Sequence, residues 1–553
     1  MTGSTPATGR HPRELAILAG VEFWERFSYY GLQANLIFFL TWHLDLPREE
    51  AYRYLAAFAA LVFMCPLIGG HLADRWLGAR RVVVAGLAML LLGHALMVVM
   101  PGQTRETLVL TDGGGMPIDR PLLHPREGEG RTIALPDGPA QVLSITQAGD
   151  GHLLHLRTAR GEERTLSGRL ERTPDQGRQT LFHLTLALIA AGVGFLKPNI
   201  SALVGSLYGR DEALRNQGFT LFYMGINAGG LTGSLVCGWL AFRHGWEPGF
   251  AAAGLGMVVA LLLMRAGRHI PAPQPVAPAS RPALVAFLAG TALILCCWAL
   301  LDSPVLVERL LDIAALAAIV YVAWQSRGLS AGQKRDLLVL VLLMLGSVLF
   351  WTLLGQSPGS LNMFTAEWVE LRLLGLEIPA PALQFVPFAF VMALSLPMAG
   401  LWRWLDRKGR TPHPVTLSGL GGIQMGASFL VLVIGILLLP DGARLGLGWL
   451  VALYLLQAGG ELFLSPIGLA AITRLSPPAI TSTMLGLWFL CTAYAQKLAG
   501  LIGQATVADS ATNPAEGLER YAQVYQQAGL ITVAAGLLII LAGLLIRRRS
   551  RPA

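Results

Sequence analysis

Charge is scarce in this chain: Asp, Glu, Lys and Arg together make up 14% of 553 residues, against 54% hydrophobic residues and a mean hydropathy of +0.54. That shortage excludes a soluble fold, whose surface needs roughly a quarter of all residues charged. Cysteine is scarce as well. All five (Cys65, Cys237, Cys296, Cys297 and Cys491) fall in apolar stretches, so no disulfide framework of the secreted kind is on offer. No spacing stands out that would gather a Ser, His and Asp, bind a metal or cradle a phosphate. The expectation is therefore a protein that is not an enzyme and needs no cofactor. The short polar start leads into an apolar stretch interrupted by Glu22, Glu25 and Arg26. This does not suit a cleavable signal peptide and is expected to remain as a first helix.

Long apolar runs are what the chain has instead. A hydrocarbon core of about 30 Å needs roughly 20 predominantly apolar residues per helix, and such runs lie at 14–41, 52–76, 81–101, 180–207, 217–241 and 247–266. After a link rich in proline (Pro271, Pro273, Pro275, Pro278) two more follow at 283–301 and 305–325. A second group then occupies 336–356, 381–405, 415–439, 446–473, 480–507 and 523–546. The layout predicts an all-α polytopic membrane protein with helices grouped six, two, six. Its units are expected at 1–102 and 179–267 for the first bundle, 103–178 for an insertion, 268–330 for a two-helix linker and 331–553 for the second bundle.

Cytoplasmic loops hold the excess of Lys and Arg. Placing both termini inside gathers Arg75, Arg80, Arg81, Arg265, Arg268, Lys334, Arg335, Arg407, Lys408 and Arg547 to Arg549 on one side. The net charge of +8 is then mostly a topology signal and calls for no nucleic-acid partner. One motif repeats: Gly70-His-Leu-Ala-Asp74-Arg75-Trp-Leu-Gly78-Ala-Arg80-Arg81 follows the second helix of the first half, and Asp406-Arg407-Lys-Gly409-Arg410 follows the second helix of the last. Ordinary loop charge is one reading; two parallel halves with a substrate site between them is the other.

Glu22, Glu25 and Arg26 are the most informative residues, because an ionisable group near the bilayer centre costs about 2.5–3.5 kcal/mol and is kept mainly where it faces a cavity or a partner. Helical spacing puts them and Tyr29 on adjoining positions of one face. Glu22 and Arg26 are expected to pair, leaving Glu25 free to exchange a proton or bind cargo; a purely structural ion cluster is the alternative. Lys197 and Glu461 are read as the other isolated charges within apolar runs, one in each half.

Residues 103–178 carry short apolar or alternating segments (107–110, 132–135, 141–147, 153–158) separated by Asp112-Gly, Asp137-Gly and Asp150-Gly, which predicts a small all-β module. His152 and His155, three apart, would point to opposite faces of a strand, which disfavours a metal pair.

At the intramembrane charges the chain resembles a known family. Glu22-Phe-Trp-Glu25-Arg26-Phe-Ser-Tyr29-Tyr30-Gly31 looks like the ExxERFxYYG signature of the proton-coupled oligopeptide transporters, of the major facilitator type. Gly194-Phe-Leu-Lys197-Pro-Asn-Ile-Ser201, Phe222-Tyr223-Met-Gly-Ile-Asn227-Ala-Gly and Gly460-Glu461-Leu-Phe-Leu-Ser465-Pro466-Ile-Gly468-Leu are similar to further stretches of the family. The resemblance implies import of di- and tripeptides with protons by alternating access. It implies Glu22, Glu25 and Arg26 as the proton-coupling cluster, Lys197 for the peptide carboxylate and Glu461 for its ammonium. Tyr29, Tyr30, Asn227, Trp351 and Trp488 would line the pocket. Small peptides, protons and the bilayer are the implied partners, in a monomer of the bacterial inner membrane. When empty, Lys197 and Glu461 are expected to neutralise each other.

Departures from the family are as informative. Gln33 stands where most members have Arg, and Gly355 where the first helix of the second half usually has a carboxylate; those positions normally pair across the outer gate. Phe63 replaces a usual tyrosine, Ala56 stands where some animal members have histidine, and Pro387 aligns with an asparagine. These changes keep a second reading open, a proton-coupled carrier of another small zwitterion or anion such as an amino acid, nitrate or a drug.

Overall fold

The computed structural model describes residues 11–44, 46–100, 105–110, 115–119, 132–135, 138–148, 151–158, 161–173, 176–209, 211–373, 375–410, 412–440, 442–477, 480–507 and 514–548. Inside a bilayer every backbone group must be satisfied within the chain, which leaves helices as the way to cross. The first six long helices are α1 (Arg13–Phe38), α2 (Arg48–Leu72), α3 (Ala79–Val98), α4 (Gln176–Ser206), α5 (Glu212–His244) and α6 (Trp246–Ala266). The linker supplies α7 (Pro282–Asp302) and α8 (Pro304–Ser326). The second bundle holds α9 (Ala331–Leu354), two short helices α10 (Ser360–Trp368) and α11 (Ala380–Leu383), then α12 (Phe385–Arg407), α13 (Pro414–Leu437), α14 (Leu447–Leu475), α15 (Thr481–Ala505) and α16 (Pro514–Arg548). Among the described residues, eleven helices are long and apolar enough to cross a membrane by length and composition.

Local chemistry sets several boundaries. The α5 helix starts five residues before its apolar run because the Asp211 carboxylate caps it, accepting from Leu214 N at 2.9 Å. At α9 the start is a capping box between Ser330 and Gln333. Pro282, Pro304 and Pro414 open their helices, where the missing N–H costs nothing. The hydropathy pattern gave no sign of α10, α11 or the small hairpin of β7 (Arg372–Leu373) and β8 (Leu376–Glu377) that fill the step from α9 to α12.

The repeated motif turns at a glycine in both halves: Gly78 and Gly409 take φ of +78° and +61°, a region glycine enters without strain. In the first half Arg80 donates to the carbonyls of Gly267, Arg268 and Ile270, and Asp74 and Arg75 carbonyls accept from Val276 and Ala277. The loop thus ties the proline-rich link to the first bundle.

Between α3 and α4 the insertion forms a closed barrel of β1 (Arg105–Leu110), β2 (Gly115–Asp119), β3 (Thr132–Leu135), β4 (Gly138–Ala148), β5 (Gly151–Thr158) and β6 (Glu163–Thr173). Strands β2 and β6 lay outside the segments expected from sequence. His155 on β5 is hydrogen-bonded through Nδ1 to Thr165 Oγ1 at 3.1 Å; the His152 side chain and Asp112, Asp137 and Asp150 of the expected turns lie outside the described residues. Closure brings the first and last strands together, with Arg105 opposite Thr173, so the chain enters and leaves the barrel at adjacent points, about 5 Å apart. Replacing 103–178 with a short Gly/Ser loop is accordingly expected to preserve insertion and uptake. A correctly inserted deletion variant without transport would show that the barrel takes part in the cycle.

Candidate functional site

The site begins with α1, which is held against α6 by Ser28 Oγ donating to Ala253 O at 2.5 Å. This fixes the helix so that Glu22, Glu25 and Arg26, each no more than 2% exposed, form a buried cluster. Arg26 grips Glu25 as a fork, Nε to Oε2 and Nη2 to Oε1 (2.5 Å). Glu22 Oε1 lies 3.6 Å from Arg26 Nε, and Glu22 Oε2 is buried without a hydrogen-bond partner. The expected Glu22–Arg26 pair is thus present, but Glu25 is not left free: it is the closer partner of Arg26. Sequence spacing favours i, i+4 pairing, but the planar guanidinium folds back along its own turn to take both oxygens of its neighbour. The same guanidinium lies 5.0 Å from the Tyr29 ring centre and 5.7 Å from that of Tyr30.

Lys197 is carried by α4, one residue before a proline within the helix. Pro198 removes one helical hydrogen bond, and Asn199 Nδ2 donates to Phe195 O at 2.7 Å and to Gly69 O of α2 at 3.2 Å. The ammonium sits 5.3 Å from the centre of the Phe63 ring; among the described residues it has no carboxylate partner. Glu461 on α14 accepts from Tyr223 of α5 at 3.3 Å. The expected Lys197–Glu461 pair is not formed: each charge is occupied by its own aromatic neighbour, Phe63 or Tyr223.

Both charges face one cavity of about 170 Å³ between the bundles, whose wall includes Arg26, Tyr29, Tyr30 and Trp351. Gln33, Phe63, Gly355 and Pro387, the atypical positions, line it too. Two expected pocket residues lie elsewhere. Asn227 turns back onto its own helix, donating to Tyr223 O at 3.0 Å, and Trp488 packs in an apolar cluster with Met344, Ile472 and Met484. Several wall residues escaped sequence reading, among them Gln384, Ser357, Gln496 and Phe388, whose ring centre lies 4.6 Å from that of Tyr30. Uncharged polar and aromatic side chains are common in membrane helices, so nothing marked these four. Tyr223 lay within a quoted motif and was passed over for Asn227.

The bundles are bonded to each other at the end from which the barrel departs. Arg48 of α2 pairs with Glu367 of α10, Asn362 Nδ2 donates to Ala34 O of α1 at 2.9 Å, and Arg53 Nη2 to Gln504 Oε1 of α15 at 3.1 Å. Gln33 and Gly355 also share a smaller pocket here with Ala56 and Gln496, so these two positions do face a common space. A side chain at 355 meets resistance, since its Cβ would lie 2.8 Å from Ala499 Cβ. Gly355→Glu alone is expected to lower uptake, Gln33→Arg with Gly355→Glu to recover part of it, and addition of Ala499→Gly to recover more by returning the lost space. Purely additive losses in uptake assays would show that positions 33 and 355 do not interact.

This arrangement matches known proteins along nearly its whole length. The chain is 27% identical over 530 residues to dipeptide and tripeptide permease A of Klebsiella pneumoniae, covering 95% of this chain and 90% of that protein. It is 30% identical over 531 residues to the peptide transporter YePEPT of Yersinia enterocolitica, covering 90% and 89%. Its fold superposes on a crystal structure of a peptide transporter POT in complex with sulfate with a TM-score of 0.73 at 25% identity, over 97% of this chain and 96% of that one. Residues 81–519 match the model of the POT family, and the chain belongs to that family, an integral membrane protein with the major facilitator fold.

Proposed function

We propose that this chain carries di- and tripeptides across a membrane together with protons, alternating the access of the cavity between its two bundles. The observation that carries the reading is that Lys197 and Glu461, not bonded to each other, line one cavity from opposite bundles. A zwitterionic peptide offers a carboxylate to the first and an ammonium to the second, so it draws the bundles together only when whole. Coupling follows from charge balance: Glu22 and Glu25 face Arg26, and Lys197 lies within their field. A peptide carboxylate that engages Lys197 takes one cation out of this balance, which favours a proton on Glu22, the acid with an unsatisfied oxygen.

The relatives named as permeases and peptide transporters support this reading. The distribution of Arg and Lys supports cytoplasmic termini, hence a barrel on the outside, in the inner membrane of a bacterium. We take the working unit to be a monomer, because the cavity is complete within one chain. The contacts at the barrel end then make this an outside-closed state.

The test is uptake by proteoliposomes of the purified protein. Labelled dipeptide is expected to accumulate with an inward proton gradient and only to equilibrate without one. Equal accumulation in both conditions would overturn coupling. A panel in which free amino acids, nitrate or drugs accumulate and dipeptides do not would favour the second reading, which the neutral Gln33 and the Pro387 in the cavity wall keep open.

A further inference from the structure

Glu308, Arg309 and Asp312 place three charges within five residues of the otherwise apolar α8. Their partners belong to both bundles. Asp312 binds Lys497 of α15 and accepts from Tyr494 OH at 3.3 Å, while Lys497 also donates to Glu308 O at 3.3 Å. On the opposite side Glu308 Oε1 lies 3.5 Å from Arg53 Nε of α2. The reading of Lys197 and Glu461 as the other isolated intramembrane charges overlooked this group.

The second arm of the linker sits differently. In α7, Leu293, Cys297 and Leu301 are buried in the core of the first bundle, Cys65 and Cys297 sulfurs lie 3.5 Å apart, and Asp302 approaches His183 of α4 at 3.3 Å. Only Ser303 separates α7 from α8. A hairpin with a one-residue turn, one arm seated on the first bundle and the other bonded to α2 and α15, thus spans the seam at the barrel end.

We propose that the α7–α8 hairpin is a clasp across this seam, and that Arg53, Glu308, Asp312 and Lys497 are positioning residues that set how readily the cavity opens to the outside. The inference rests on the alternating-access reading above. Opening the barrel end moves α2 away from α15, and α8 cannot follow both. The Lys497 side chain is 10% exposed and has several acceptors, whereas the Arg53 side chain is 36% exposed and meets Glu308 at 3.5 Å. The Arg53–Glu308 contact is therefore the weaker side of the clasp and the catch that releases. The clasp works where Gln33 and Gly355 supply no ion pair, so closure of the barrel end here draws on charges that lie outside the substrate cavity.

Spin labels on Glu49→Cys and Glu519→Cys, both exposed at the barrel end, in a chain with its native cysteines replaced, read the separation directly. Arg53→Gln and Glu308→Gln are each expected to raise the fraction of wide distances about two- to five-fold, the range for a partly exposed ion pair. Combining them is expected to add little, and exchanging the charges, Arg53→Glu with Glu308→Arg, to return the parent distribution. Unchanged distances in both single variants, or a charge exchange no better than the sum of its parts, overturns the proposal. The labels report the seam whether or not peptide is carried, so a parent protein that takes up no peptide overturns the transport reading alone.

Discussion

Glu22→Gln is expected to abolish accumulation driven by a proton gradient while leaving exchange of substrate across the membrane largely intact. Glu22 Oε2 is buried with no donor, whereas both oxygens of Glu25 are held by Arg26. Leaving a buried polar group unsatisfied costs about 1–3 kcal/mol, more when it is charged, and a proton on Glu22 removes that cost. Gln imitates the protonated acid in size and charge, so the carrier still cycles but no longer senses the gradient. Glu25→Gln is a different lesion. It takes the close partner from a buried guanidinium, a change worth about 3–5 kcal/mol, and is expected to lower folded yield and exchange together. Counterflow and gradient-driven uptake, measured on the same proteoliposomes, separate the two. Accumulation by Glu22→Gln would place the proton elsewhere, and an uncoupled, exchange-competent Glu25→Gln would return the role to Glu25.

Lys197→Ala and Glu461→Ala are expected to cost substrate affinity or transport more than tenfold each, against little effect for neutral changes on lipid-facing positions such as Leu538, which is 65% exposed. Truncating one partner of a buried, hydrogen-bonded charge pair costs about 2–5 kcal/mol, and the substrate supplies the missing partner of each side chain. The two losses differ in kind. Lys197→Ala removes the cation for the carboxylate, so peptide amides are expected to bind parent and variant alike. Glu461→Ala removes the acceptor for the ammonium, so N-acetylated dipeptides, already weak on the parent protein, are expected to lose nothing further. Equal affinity of the parent for free and N-acetylated dipeptides would count against this geometry, as would wild-type uptake by either variant.

Much of the molecule was legible before any coordinates. A continuous apolar run in a bilayer has one way to satisfy its backbone, so fourteen runs became the fourteen long helices of the described residues. A small all-β module was readable from turns and alternation, its closure into a barrel was not, and β2 and β6 were missed because Gly115–Asp119 includes a proline and Glu163–Thr173 is mostly polar. Isolated charges were readable because the membrane makes each of them costly. On that ground alone Glu22, Glu25, Arg26, Lys197 and Glu461 stood out, and all but the two glutamates of α1 line the cavity.

Sequence determined which residues carry charge into the membrane and which helix each occupies; it did not determine their partners. Pairing depends on rotamers and on helices brought together from distant parts of the chain. Only the fold decided that Arg26 grips Glu25 and leaves an oxygen of Glu22 bare, that Lys197 rests on Phe63 while Glu461 holds Tyr223, and that Trp488 serves the core of its own bundle. The same holds for Lys497 and Asp312, 185 residues apart, whose meeting puts the linker across the seam. Composition and period act along one helix at a time, whereas the energy of a buried charge is set by whatever lies across the gap.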